Sequence, residues 1–279
     1  MAEQIHRYRL LDAGEEKKLE MVGPYKVTRQ AAQAYWPKAR DAAAWRDTAA
    51  THIRSTTGGG RWKYHDKLPE SWLCSHGPFH FHMKLTDFGH IGLFPEQEAN
   101  WAWIAARKAP RVLNLFGYTG GSTLAAAASG AEVTHVDASK GAVAWARDNH
   151  AANDLADGTV RWIVEDVARY IGREQRRGSM YQGIILDPPS FGRGPRGQVW
   201  KIETDLVPLL FELKKITEDL HYVLLSCHTP GYSPLTLTNI LNLVFEVPTA
   251  RIESGEMVVP IEGTSLVLPS GTYARFDVG

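Results

Sequence analysis

Three carboxylates and one glycine turn follow apolar segments along the middle of this chain. The turn is Gly117-Tyr118-Thr119-Gly120-Gly121, at the end of residues 111–121 (RVLNLFGYTGG), and the acids are Asp137, Asp166 and Asp187. Glycine lets backbone approach a ligand where a Cβ would clash. A helix starting just after such a turn presents free N–H groups and the positive end of its dipole. Asp137 lies 20 residues after Gly117, at the end of the next apolar segment, where it can accept both hydroxyls of a ribose. Asp166, after the third segment, is placed to accept a hydrogen bond from an adenine amino group. Alternatively, Asp137 and Asp166 are ordinary turn formers at strand ends. Their register with the glycine turn favours a site for an adenosine-containing cofactor. A glycine turn and a ribose acid serve NAD and S-adenosylmethionine (SAM) alike. This turn is not Gly-x-Gly-x-x-Gly, the form suited to pyrophosphate, and the last acid stands in Asp187-Pro188-Pro189-Ser190. Together these features point to SAM.

Such residues need a scaffold that brings strand ends together. From about residue 92 the pattern alternates between strands and helices. Strands are expected at 112–116, 133–136, 160–164, 183–186 and 222–225, with a terminal hairpin at 256–260 and 272–278. Helices are expected at 96–108, 122–129, 139–152, 204–216 and 235–245, with Ser139 as an N-cap. This order implies an α/β fold: a Rossmann-like, seven-stranded, mostly parallel sheet with right-handed crossovers and a reversed terminal hairpin. Ligands of such sheets bind beyond the carboxyl ends of the strands, where every acid above falls. Residues 1–90 differ. Short β-like runs at 25–27, 58–62 and 79–85, many aromatics and one Ala-rich helical stretch at 41–50 describe a small β-rich lobe. The expected division is therefore 1–90, a lobe suited to substrate recognition, and 91–279, the catalytic domain.

A chain of 279 residues, 44% hydrophobic, is long enough for an α/β core and an extra lobe. It contains no apolar run near the roughly 18 residues of a membrane span, and the first residues lack the apolar core of a signal peptide. Two cysteines, Cys74 and Cys227, make no disulfide framework. A cytoplasmic, reduced protein with no membrane partner is expected. The net charge of zero conceals a gradient: residues 1–67 hold 13 Lys/Arg against 8 Asp/Glu, and residues 173–201 hold 6 against 2. Both regions could grip a polyanion, or could simply be solvated surface. His76, His80, His82 and His90 are close in sequence but lack the acid or cysteine that would complete a metal set, so no metal is expected.

The segments GLFPEQEAN, RVLNLFGYTGG, THVDASKGAVAWARDN, ILDPPSF and LLSCHTPG resemble, in order, the motifs of class I SAM-dependent methyltransferases. They are most similar to the branch of bacterial 23S rRNA cytosine carbon-5 methyltransferases. The resemblance covers roughly residues 85–230. It implies SAM contacts from Phe116, Gly117, Tyr118, Thr119 and Gly120, from Asp137, Ala138 and Ser139, from Asp166 and Val167, and from Asp187 and Pro188. Phe94 and Gln97 would form one wall of the pocket. No RNA-binding domain of the PUA type, usual in the rRNA enzymes, is found in residues 1–90, which resemble the β-rich lobe preceding the catalytic domain in related proteins.

The resemblance also implies an RNA partner, with rRNA as substrate. Cytosine carbon-5 is a poor nucleophile, and a thiolate adding to carbon-6 turns the ring into an enamine that can be methylated. Cys227 aligns with the family's nucleophile position, and Asp187 could hydrogen-bond the base and balance charge. On the substrate side stand Pro189, Ser190 and Phe191, the last able to stack on an unstacked ring, with Arg193 and Arg196 in a basic loop. Ser190 separates the prolines from the aromatic residue, unlike the pattern of amino-directed methylases, which favours carbon over exocyclic nitrogen. Other readings stay open. Cys227 could be packing in an enzyme acting on another base position, a protein or a small molecule. The chain could be an RNA-binding module retaining SAM, or an NAD oxidoreductase.

Overall fold

Two kinds of strand build this protein: mixed polar and apolar ones early in the chain, and nearly continuous apolar ones at the centre of the later sheet. The computed structural model describes residues 5–55, 59–156, 158–194 and 197–278. The chain divides into Met1–Glu98 with Val258–Ser270, and Ala99–Met257 with Gly271–Gly279. The first unit runs to Glu98 and also includes a piece of the terminal hairpin.

In the first unit, β1 (Arg9–Gly14), β2 (Lys17–Val22), β3 (Tyr25–Gln30), β4 (Ala50–Arg54) and β5 (Gly60–Tyr64) form one sheet in that order. Only the β3–β4 pair is parallel. The Ala-rich stretch shortens to α1 (Ala42–Arg46), capped by Asp41 accepting from Ala44 N–H at 2.8 Å. Ala49 N–H already donates to Lys26 O, and the sheet takes the residues from Ala50 onward. A separate hairpin joins β6 (Trp72–His76) to β7 (Phe79–Met83). Leu10, Leu19, Val22, Val27, Phe81 and Met83 are buried, and an ionic cluster is buried with them. Glu20 accepts from Arg29 Nε and Nη2, both at 2.7 Å, and from Tyr8 Oη at 2.8 Å. Burial alone would raise the Glu20 carboxyl, but the charges of Arg29 and Lys18, with these bonds, hold it down at about 2.

The second unit is a Rossmann-like α/β layer structure. Its elements are α2 (Glu98–Ala105, whose first residue closes the other unit), β8 (Arg111–Leu115), α3 (Gly121–Ala128), β9 (Glu132–Asp137), α4 (Lys140–Ala151), β10 (Val160–Val164), α5 (Val167–Arg177) and β11 (Tyr181–Leu186). A small hairpin follows, β12 (Phe191–Arg193) with β13 (Val199–Lys201), then α6 (Ile202–Lys214), β14 (Thr217–Cys227), α7 (Pro234–Phe245), β15 (Glu253–Pro260) and β16 (Val267–Asp277). The seven-stranded sheet has the order β10-β9-β8-β11-β14-β16-β15. Strands β10, β9, β8, β11 and β14 run parallel, and β16 pairs antiparallel with β14. The order reverses at β8, which puts the switch point between β8 and β11.

Two details depart from the sequence reading. The helix expected at 96–108 is a 3-10 turn, Pro95–Gln97, continuing into α2. The basic loop after Ser190 contains the β12–β13 hairpin, with Phe191 opposite Lys201 and Arg193 opposite Val199.

Candidate active site

Leu115 ends β8, and the chain then turns sharply. Phe116 and Tyr118 have left-handed backbone, with φ of 56° and 46°. Non-glycine residues adopt this conformation at a cost of order 1–3 kcal/mol each, and the surroundings must hold them there. They do. Gly117 N–H donates to Val136 O at 3.1 Å, Gly120 N–H to Gly117 O at 2.9 Å, and Asn149 Nδ2 to Thr119 O at 2.8 Å. Gly120, at φ 90°, caps α3 without any side-chain hydrogen bond, so the first N–H groups of that helix remain at the turn.

Beneath the turn lies a buried polar chain that sequence reading passes over. Asn114 Nδ2 donates to Thr123 Oγ1 at 2.8 Å, and Thr123 Oγ1 lies 2.8 Å from His135 Nδ1. The His135 ring fills the space where a Cβ on Gly117 would sit, 2.4 Å from Cε1. Gly117 is therefore required by the imidazole below it. Burial drops the His135 pKa to about 3, so the ring is neutral. The only signal in the sequence is polar residues at central positions of apolar strands.

Asp137, at the end of β9, accepts from Tyr118 N–H at 3.0 Å through Oδ2 and from Ser139 N–H at 2.8 Å through Oδ1. It ties the β8 turn to the start of α4, where Ser139 accepts from Ala142 N–H as the N-cap. Burial raises its pKa, against the lowering effect of the two N–H bonds. Each carboxylate oxygen has a further lone-pair site for a ligand hydroxyl. Asp166 caps α5, accepting from Arg169 N–H at 3.0 Å through Oδ1. Ala138 is half-buried beside Asp137, and Val167 is buried.

Asp187 follows β11, between Leu186 and the buried Pro188, and its Oδ1 lies 3.3 Å from His228 Nδ1. The loops after β11 and β14 are joined a second time by Ser190 Oγ and Thr229 Oγ1, 2.7 Å apart. Pro189 O accepts from Trp200 Nε1 at 2.7 Å. The Trp200 ring also sits 4.9 Å from that of Phe116, linking the β12–β13 hairpin to the glycine turn. Phe191 is 52% exposed, and the Arg193 guanidinium lies 5.9 Å from its ring. Arg196 lies outside the described residues.

Cys227 ends β14 with only 1% of its surface exposed, inside the core cluster with Leu225, Leu237 and Ala274. Its Sγ accepts from Thr229 N–H at 3.4 Å. Burial pushes the thiol up, and the charge of Asp187 adds to that, while His228 and Thr229 oppose it. Cys74 is buried in β6. Phe94 and Gln97 belong to the first unit, where Phe94 meets the His90 ring edge-on and Gln97 is buried. His76 Nε2 lies 2.9 Å from Pro95 O and 3.3 Å from Glu98 Oε2. Among the described residues no group of three or more His, Cys, Asp or Glu side chains could hold a metal ion. No helix among them is long and apolar enough to cross a membrane.

The glycine turn, Asp137, Asp166, Asp187 and Cys227 thus occupy the carboxyl ends of five adjacent parallel strands. Comparison with known proteins agrees with that arrangement. Residues 24–216 match the sequence model of a family described as S-adenosylmethionine-dependent methyltransferase. The solved SAM-dependent methyltransferase from Agrobacterium tumefaciens is 35% identical, with a TM-score of 0.90 over 100% of this chain and 92% of that one. SMU.776, solved as a complex with SAH, is 19% identical with a TM-score of 0.76, over 98% of this chain and 76% of that one, a likeness of fold. A Shewanella sp. (strain ANA-3) protein named ribosomal RNA large subunit methyltransferase K/L is 34% identical over 140 residues. That match covers 49% of this chain and 20% of the relative, so the chain spans about a fifth of the curated protein's length.

Proposed function

Given that this chain belongs to the S-adenosylmethionine-dependent methyltransferase family, we propose that it methylates RNA, with large-subunit ribosomal RNA as the substrate. The observation that carries the reading is the row of strand ends described above, with the glycine turn, Asp137 and Asp166 on three of them and Asp187, Ser190 and Phe191 following the next.

The residues present fit SAM. Two left-handed non-glycine residues hold the turn open, α3 begins without a side-chain cap, and Asp137 keeps acceptor capacity beyond its two backbone bonds. Phe116, Gly117, Tyr118, Thr119, Gly120, Ala138 and Ser139 would hold the donor around Asp137, with Asp166 and Val167 at the adenine and Asp187 and Pro188 beside the reacting end. When bound, SAM supplies an electrophilic methyl group. The protein's part is to orient the acceptor atom toward it and to accept the displaced proton. Phe191, half exposed beside Arg193, suits a stacked base with a phosphate nearby. The RNA assignment draws on the name of the Shewanella relative and on the excess of Lys/Arg over Asp/Glu in residues 173–201.

The finer reading is transfer to cytosine carbon-5 through Cys227. It is supported by the position of the thiol at the end of β14, one strand from Asp187. It requires that RNA binding expose and ionise a thiol that the free protein buries and holds neutral. The test is transfer of labelled methyl from SAM to RNA from cells lacking this protein, followed by nucleoside analysis. Label in 5-methylcytidine, lost in Cys227→Ala with SAM affinity retained, supports both levels. Label in another nucleoside with Cys227→Ala fully active refutes the carbon-5 reading and keeps RNA. Label only in protein or small molecules refutes the RNA assignment.

A further inference from the structure

Methylation displaces a proton from most acceptors, and the buried Cys227 is poorly suited to take it. The residue after it is better placed. His228 follows the carboxyl end of β14, and β14 lies directly beside β11, with Leu186 in register with Leu225. Its Nδ1 is 3.3 Å from Asp187 Oδ1, and the two side chains are 31% and 26% exposed. An imidazole beside a partly buried carboxylate, at the rim of a nucleoside site, is the arrangement of an oriented general base. A carboxylate 3.3 Å from one ring nitrogen stabilises the imidazolium that forms. Ionisable groups beside the ring include Asp187 after β11 and Cys227 on β14. On the β16 side, Gly271 lies against it, where a Cβ would come 3.1 Å from His228 Cδ2.

Resting on the methyltransferase reading above, we infer that His228, oriented by Asp187, is the proton acceptor of the reaction. As the acceptor atom forms its bond to the methyl carbon, the methyl–sulfur electron pair stays on sulfur. The acceptor–hydrogen pair stays on the acceptor, and the proton moves to His228 Nε2, the nitrogen opposite the carboxylate.

His228→Gln tests this with three readouts. Its kcat for methyl transfer falls by about 10²- to 10⁴-fold, the usual weight of a general base, while SAM affinity by calorimetry stays within about threefold. The acidic limb of the wild-type pH–rate profile disappears in the variant. Independently of turnover, the imidazole of His228, followed by NMR in the whole protein, titrates at lower pH in Asp187→Asn than in wild type. Retained kcat in His228→Gln overturns the assignment, as does a titration indifferent to Asp187→Asn. A wild-type protein that binds SAM yet leaves RNA unlabelled refutes the RNA reading instead. The His228 inference is then judged on the NMR titration and on the acceptor that takes label from cell extract.

Discussion

The loss of one carboxylate oxygen at Asp137 tests the whole cofactor site. In the ligand-free protein its two oxygens each hold one backbone N–H, from Tyr118 and from Ser139. Asparagine keeps one carbonyl oxygen and turns an NH₂ toward the other donor. The bond to Tyr118 or to Ser139 is then lost, and a ribose hydroxyl meets an amide in place of a charge. Losing one charge-assisted hydrogen bond costs about 1.5–3 kcal/mol, which raises the Kd for SAM by about 10- to 150-fold. The acidity of the site adds a pH signature. Burial raises the Asp137 carboxyl above the ordinary aspartate range, so on folding it takes up protons between its unfolded and folded values. Its contribution to stability therefore falls as pH rises through that window. SAM affinity moves the other way, because ribose hydroxyls need the ionised form: it weakens as pH falls through the raised value. Calorimetric titration of wild type and Asp137→Asn from pH 7 downward, with circular dichroism to confirm folding, measures both effects. A variant that binds SAM within about threefold of wild type, with the same pH dependence, would refute a ribose role for this acid.

Three further outcomes are expected. Gly117→Ala places a methyl 2.4 Å from the His135 ring and should cost about 1–3 kcal/mol of stability through overpacking. SAM affinity should fall with it, and His135→Ala in the same chain should restore part of both, as a double-mutant cycle by denaturant unfolding would show. Glu20→Gln leaves the Arg29 charge buried without its anion, at a cost of about 3–5 kcal/mol. In wild type, the stabilisation from Glu20 should be full above the ordinary glutamate range, decline as pH falls through that range and be gone below about 2, a dependence that melting temperatures of Glu20→Gln should lack. Trp200→Phe retains an aromatic ring but removes the donor to Pro189 O; kcat should drop severalfold with the Kd for SAM nearly unchanged, and a raised Kd with unchanged kcat would assign Trp200 to SAM binding alone.

The central parallel strands were legible because they are buried on both faces and read as nearly continuous apolar runs. Val160–Val164 has the bounds expected of it, and Ser139 caps α4 as expected. The strands β1 and β2 were not legible, since Asp12 and Glu20 sit at buried positions within them and a buried ion pair leaves no apolar alternation to detect. The β12–β13 hairpin is hidden by its glycines and by strands of only three residues. The strand-end positions of the glycine turn and the three acids could be read from type and spacing. His228 could not: the aligned cysteine drew attention to position 227, and only the pairing of β11 with β14 brings Asp187 to the neighbouring ring. The Asn114–Thr123–His135 chain was likewise invisible, because its members come from two strands and a helix.

The early sheet of the first unit has a consequence for the order of events in synthesis. Leu10, on β1, bridges to Ile261, its carbonyl accepts from Glu262 N–H at 2.9 Å, and Arg9 pairs with Glu262. The partners are separated by some 250 residues, so while β1 can pair with β2 at once, its other contacts wait on the ribosome until residues near Glu262 have emerged. At about 5–20 residues per second, that is a delay of roughly ten seconds or more. Throughout it β1 offers an unfinished edge, open to chaperones or to a neighbouring nascent chain. A stop codon or protease cut before residue 258 would therefore damage the beginning of the protein as surely as its end.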